Sequence, residues 1–231
     1  MVDSLKPVLK LSMINSDTVR DEEIKAVENL AQLQSLLEKN LAHLPLAKKV
    51  EDIIHGEGQI EAEIMLIGEA PGYHETVKRR PFVGRSGQLL RKVMAEVGLT
   101  EDEVFISNIV KVRPPDNRDP LKEEILAFKP FLDQEIKLLK PKLIVTLGRF
   151  SMAKFLPDVK ISQVHGRLHK ILWQGQDLFI LPMYHPAAAL RATRVKEAFI
   201  EDFKKIKKII TWVESQEETL AMKAQLKEVL F

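Results

Sequence analysis

The chain has 231 residues, 45% hydrophobic and 29% charged, ample for one substantial α/β domain. A formal net charge of +2 permits a local nucleic-acid patch without demanding one, and the complete lack of cysteine excludes disulfides and thiolate metal sites. The six histidines lack zinc-site spacing, no apolar run is long enough to span a bilayer, and MVDSLKPVLKLSMINSD has no signal-peptide apolar core, so a soluble intracellular protein without a membrane partner is expected.

After a polar lead, residues 21–39 place Ile24, Val27, Leu30, Leu33, Leu36 and Leu37 at helical intervals, with Asp21 or Asp17 as cap. Residues 55–62 (HGEGQIEA) read as a loop, and 63–67 as a short apolar strand entering GEAPG (68–72). Residues 87–97 read as a helix stopped by Gly98, and Thr100 then caps a short acidic turn. The β-rich stretch 104–110 ends in the proline-broken loop VRPPDNRDP, and 121–139 is a long amphipathic helix with a kink expected at Pro130. A buried strand at 143–147 ends in Gly148 and leads into a helix of about two turns. Residues 168–173 and 178–183 flank QGQD as a hairpin, 196–213 is helical with Phe199, Phe203, Ile206 and Ile210 on one face, and 214–231 reads as one further helix.

Apolar strands alternating with helices predict a central, mostly parallel sheet covered on both sides. In such sheets ligand sites collect beyond the carboxyl ends of the strands, which is where GEAPG, Asn108 and His185 fall. Each piece alone has an ordinary structural explanation. GEAPG brackets its N–H groups between Gly68 and Gly72 and reads as an anion site or a plain turn. Phe82 in PFVG reads as core or as a stacking plate, with the basic stretch 78–80 beside it as phosphate ligands or a solvated loop. Asn108 interrupts an apolar strand, so its amide is satisfied by backbone or kept for a ligand with one donor beside one acceptor. His185 precedes Pro186 and gains interest only through its neighbours at the same sheet edge.

Taken together, GEAPG…RPFVGRSGQLL…ISNIVKVRPPDNRDP…HPAAALR resembles the uracil-DNA glycosylase superfamily, and within it the thermostable family 4, over residues 41–191. The resemblance implies a three-layer αβα sandwich with a central four-stranded, mostly parallel sheet. It implies an N-terminal helical extension over 1–40, the glycosylase domain over 41–213 and a C-terminal helical extension over 214–231. Uracil-containing DNA is the implied substrate, no cofactor is required, protein partners are unassigned, and a cytoplasmic, nucleoid-associated location follows. Gly68, Glu69, Ala70 and Gly72 match the family's base-side loop, Phe82 the plate, Asn108 the reader of the pyrimidine, and His185 the donor to O2. Leu190 matches the wedge entering the duplex, while Arg85, Ser86, Arg113 and Arg191 are the expected DNA contacts. Glu75 is preferred over Glu69 for orienting water, since Ala70 stands where some members place an aspartate. A glycosylase for another deaminated base such as hypoxanthine, and a catalytically silent DNA-binding module, are the rival readings.

The departures are as informative. Thr76 weakens an acidic pair after GEAPG, and Arg79 replaces a common glycine. Family 4 holds an iron–sulfur cluster on four cysteines, and Leu41, Leu44, Val112 and Phe128 occupy the matching positions here. Four apolar side chains predict a hydrophobic plug, each burial contributing roughly 1.5–3 kcal/mol. The purified protein is therefore expected to be colourless, and a visible absorbance band accompanied by bound iron would contradict this.

Overall fold

The computed structural model describes residues 21–230; residues 1–20, with the alternative cap Asp17, and Phe231 lie outside the described residues. Six strands form one sheet: β1 (Glu57–Gly58), β2 (Ile64–Gly68), β3 (Val104–Asn108), β4 (Leu143–Leu147), β5 (His169–Trp173) and β6 (Gln176–Met183), in the order β1-β3-β2-β4-β6-β5. The inner four are parallel, as expected. The sheet is nevertheless wider than the four strands implied by the resemblance, because an antiparallel strand caps each edge. β5 was legible as half of a hairpin, whereas β1 lies in the stretch read as a loop and consists of only two residues.

The strands read as continuous apolar runs because both faces are covered. Met65, Ile67, Phe105, Ile144 and Ile180 share one core with α1 (Leu30–Lys39) and α4 (Lys122–Leu139). Leu66, Ile106, Val145, Leu181 and Met183 share the other with α3 (Arg85–Glu96), α8 (Thr193–Phe203) and the start of α9 (Ile206–Leu230). Shorter helices complete the order: α2 (Tyr73–Lys78), α5 (Arg149–Ala153), α6 (Ile161–Val164) and α7 (Pro186–Ala189). Among the described residues no helix is long and apolar enough to cross a membrane.

Two helix expectations need correction. The helix read over 21–39 is divided: residues 21–25 are helical, and α1 restarts at Leu30 with the Asn29 side chain accepting the Gln32 N–H at 3.0 Å. The Val27 carbonyl in the break is satisfied by Gln134 Nε2 at 2.9 Å. Pro130 lies inside α4, where its missing N–H orphans the carbonyl of Leu126, a residue left exposed to solvent. The break near the C-terminus falls at residues 204–205, not 213, where the Lys205 N–H donates to the Asp202 carbonyl at 3.1 Å; the buried Asp202 carboxylate meets His165 Nδ1 at 2.6 Å and Lys205 Nζ at 2.8 Å. α9 then crosses the 213/214 boundary without interruption.

Leu44, Val112 and Phe128 are buried in a single core, with Leu41 packed against it. The donor set a cluster would need is thus replaced by hydrocarbon. Close by, Lys111 Nζ donates to Glu135 Oε2 at 2.8 Å, Ser107 Oγ donates to the same oxygen at 2.7 Å, and Lys111 also reaches Ser107. This buried, mutually hydrogen-bonded trio pins the end of β3 from the face opposite Asn108. Phe128→Ala should lower the unfolding free energy in urea by about 3–5 kcal/mol. A loss under about 1 kcal/mol, the size of a surface change, would show that the plug carries little of the fold.

Candidate active site

The parallel register sets Gly68 directly beside Asn108 at the carboxyl ends of β2 and β3. Gly68 is required for space: a Cβ there would lie 2.4 Å from Asn108 Oδ1 and 2.4 Å from Phe82 Cζ. The ring of Phe82 and the amide of Asn108 therefore meet over a position with no side chain. Gly148, after β4, performs the same service for the next strand end, since a Cβ on it would lie 3.1 Å from His185 Cβ. His185 follows β6, and its ring centroid lies 5.9 Å from that of Phe82, with the planes 34° apart. Three side chains distant in sequence thus line one cleft of about 830 Å³.

Asn108 is buried, and its Oδ1 has no hydrogen-bond partner. An orphaned buried acceptor is costly unless a ligand completes it. His185 caps α7, and its Nδ1 accepts the Ala187 N–H at 3.1 Å. That bond fixes the neutral tautomer with the proton on Nε2, leaving Nε2–H as the donor available to a ligand. Burial holds the imidazole down at about 4, with Arg191 adding to the effect and Glu75 opposing it. Burial likewise raises the Glu69 carboxyl to about 7, reinforced by Asp119 and opposed by Arg149.

Glu75 is committed elsewhere. Its Oε1 accepts the N–H groups of Val83 at 2.8 Å and Gly84 at 2.7 Å, and its Oε2 accepts that of Gly72 at 3.1 Å. The carboxylate stitches the PFVG loop to the start of α2, a structural duty in place of the water-orienting one expected. The Gly72 N–H is consumed by the same contact and is not offered to an anion. Arg79 closes α2 at φ 53, in the left-handed region where a glycine is the low-cost residue; that accounts for the glycine noted as common there, and nothing in the structure explains the arginine.

Glu69, Ala70, Arg85, Ser86, Leu190 and Arg191 all line the cleft, with Leu190 and Arg191 exposed at its rim. Arg113 does not line it; its guanidinium lies 5.4 Å over the ring of Tyr73 and donates to Asn117 Oδ1. Asn117, Arg118, Asp119 and Arg149 also line the cleft, and sequence reasoning passed over them. The first three sat in a loop read only as proline-broken, although it follows a strand end. Arg149 follows the glycine closing β4, so the strand-end rule already used for Asn108 would have found it.

A doubly covered, mostly parallel sheet carrying such a cleft at its strand ends defines an α/β protein of the kind that binds ligands beyond its strand termini. Residues 55–207 match the family described as the uracil DNA glycosylase superfamily, and the chain belongs to it. It is 44% identical over 162 residues to the type-4 uracil-DNA glycosylase of Sulfurisphaera tokodaii, covering 68% of this chain and 74% of that protein. Identity is 41% over 167 residues to the type-4 uracil-DNA glycosylase of Saccharolobus solfataricus, covering 70% and 77%. A more distant relative, the type-5 uracil-DNA glycosylase of Thermus thermophilus, is 29% identical over 178 residues, covering 68% and 80%.

The tautomer is directly measurable. In a nitrogen-resolved NMR titration His185 should stay neutral at pH 6, carry its proton on Nε2 and titrate near 4. A protonated Nδ1 in the neutral ring, or a midpoint at the ordinary histidine value of about 6.5, would contradict the geometry.

Proposed function

We propose that this chain is a uracil-DNA glycosylase that hydrolyses the N-glycosidic bond of uracil in DNA and leaves an abasic site for base-excision repair. The observation carrying this reading is the unpartnered Oδ1 of buried Asn108, facing the cleft that Phe82 and His185 also line. A base within a duplex is out of reach of such a cleft, so the nucleotide swings out, with Leu190 filling the gap and Arg85, Ser86 and Arg191 against the backbone. Arg113 contributes one step removed, by holding Tyr73. Uracil stacks on Phe82. The Asn108 oxygen accepts from N3–H and its NH₂ donates to O4. Cytosine reverses both groups and leaves the buried amide unpaired, which is the costly kind of mismatch.

Cleavage sends the bonding electrons onto the base, and O2 takes up much of the charge. The Nε2–H of neutral His185 and the Ala70 N–H donate to that oxygen, each good donor contributing about 2.7–4 kcal/mol. A neutral imidazole suits this task because it needs no proton loss or gain during the step. Glu69 lines the cleft and orients the incoming water, a role supported by its raised titration and by the engagement of Glu75 with three backbone N–H groups. The residues at the family's cluster positions are leucine, valine and phenylalanine, which offer no ligand atoms to an iron–sulfur cluster. Action on DNA places the protein with the nucleoid in the cytoplasm.

Oligonucleotides carrying uracil, hypoxanthine or a thymine mismatch, incubated with the protein and then treated with alkali, test the reading. Strand cleavage with uracil alone is expected. Cleavage only at hypoxanthine would move the substrate, and binding without abasic sites would indicate a silent module. Asn108→Ala and His185→Ala should each slow single-turnover excision about 10²–10³-fold with duplex affinity nearly intact. Because ionised Glu69 is the active form, the rate should rise with pH through about 7, and Glu69→Gln should flatten that limb. A wild-type limb unchanged in Glu69→Gln would remove Glu69 from the mechanism.

A further inference from the structure

Phe82 is a buried aromatic residue with φ 52, a backbone region that a bulky side chain holds only where its surroundings impose it. Two residues one turn apart on α3 impose it. Gly87 lets the loop descend onto the helix, since a Cβ there would lie 2.0 Å from both the carbonyl carbon and oxygen of Phe82. Arg91, on the same face four residues on, donates from Nε to the Phe82 carbonyl at 3.2 Å and from Nη2 to that of Pro81 at 3.3 Å.

Arg91 is itself held. Its Nη2 donates to Glu57 Oε1 at 2.7 Å, and it also pairs with Glu101. Glu57 lies on β1, the edge strand that the sequence did not reveal, opposite Ile106 on the strand that ends in Asn108. From the other flank of the loop, Arg80 grips the same carboxylate with Nε at 2.8 Å and Nη2 at 3.0 Å. So the basic stretch before PFVG, read from sequence as a phosphate site or a solvated loop, sends one arginine back into the protein. Burial pushes the Glu57 carboxyl up, but the hydrogen bonds from Arg80 and Arg91 outweigh it and leave it below the usual carboxylate range.

We propose that Glu57 and Arg91 form a bracket that fixes the Phe82 ring relative to the Asn108 amide, making Arg91 a positioning residue for base capture. This rests on the reading of Phe82 as the plate under uracil. The bracket ties ring and amide to one rigid unit: β3 carries Asn108 at its end and, through β1, the anchor of the loop that carries Phe82. Two details separate this from an ordinary surface ion pair. The Arg91 side chain is only 19% exposed, against 55% for Arg80. Its donors also reach main-chain carbonyls of the plate's own loop, so its loss frees a backbone held in an unfavourable region.

The test is a double-mutant cycle on single-turnover excision of uracil, with affinity for abasic-site DNA as a second readout. Arg91→Met should slow excision about 10–100-fold, the scale of a misplaced binding surface, and weaken uracil-DNA without weakening abasic DNA, which has no base to stack. Arg91→Lys, a point charge unable to span both carbonyls and Glu57, should recover part of the rate. Glu57→Gln, a milder change, should move the same way to a lesser degree. In a Phe82→Leu background, adding Arg91→Met should cost nothing further. Wild-type rates in both Arg91→Met and Glu57→Gln, an equal Arg91→Met loss in both backgrounds, or parallel loss of abasic-DNA affinity would each overturn the bracket. A wild-type rate in Phe82→Leu alone would instead remove the plate on which it rests.

Discussion

The site depends on two places where the sheet carries no side chain. Gly68 and Gly148 close the two central strands, β2 and β4, and each leaves room for groups delivered by its neighbours. Over Gly68 the ring of Phe82 and the amide of Asn108 come together; beside Gly148 lies His185. Parallel pairing does the rest, because register alone sets Gly68 against Asn108 and leads β6 into His185 alongside the end of β4. A close-packed interior transmits such a constraint: a methyl group at Gly68 would have to push the Phe82 ring and the Asn108 amide aside, and one at Gly148 would crowd His185 on a backbone held at φ 103.

Electrostatics then differentiates the groups gathered there. Both His185 and Glu69 are forced toward their neutral forms by burial, yet to opposite effect at neutral pH. The histidine, held at about 4, is locked as a neutral hydrogen-bond donor. The glutamate, raised to about 7, stands at the balance point of a proton acceptor. One physical cause, burial, thus sets the two titrations far apart. Glu75, the second carboxyl group of the stretch, is engaged by three backbone N–H groups and shapes the wall that carries Phe82.

Much of this was legible in the sequence, for identifiable reasons. Continuous apolar runs marked the inner strands, and their ends assigned GEAPG, Asn108 and His185 to one edge of the sheet. The four apolar residues at the cysteine positions announced a packed plug, and Leu44, Val112 and Phe128 are indeed buried together. What escaped lacked a periodic signal. A two-residue strand such as β1 has no pattern to read, and its role emerges only from the partners of Glu57. The fate of Glu75 was hidden for a related reason: a carboxylate eight and nine residues from the N–H groups it captures looks free in the linear sequence. The break before α1 was signalled only by Asn29, a good cap set within a stretch whose apolar spacing continues through it.

The most direct measurement is excision of uracil from DNA by Gly68→Ala, with near-ultraviolet circular dichroism as the control for folding. The added methyl group meets two side-chain ends rather than backbone, so the fold should survive while ring and amide are pushed apart. A folded protein with excision reduced at least about a hundredfold is the expected result. Wild-type turnover in a folded Gly68→Ala protein would mean that uracil is not held where Phe82 and Asn108 converge.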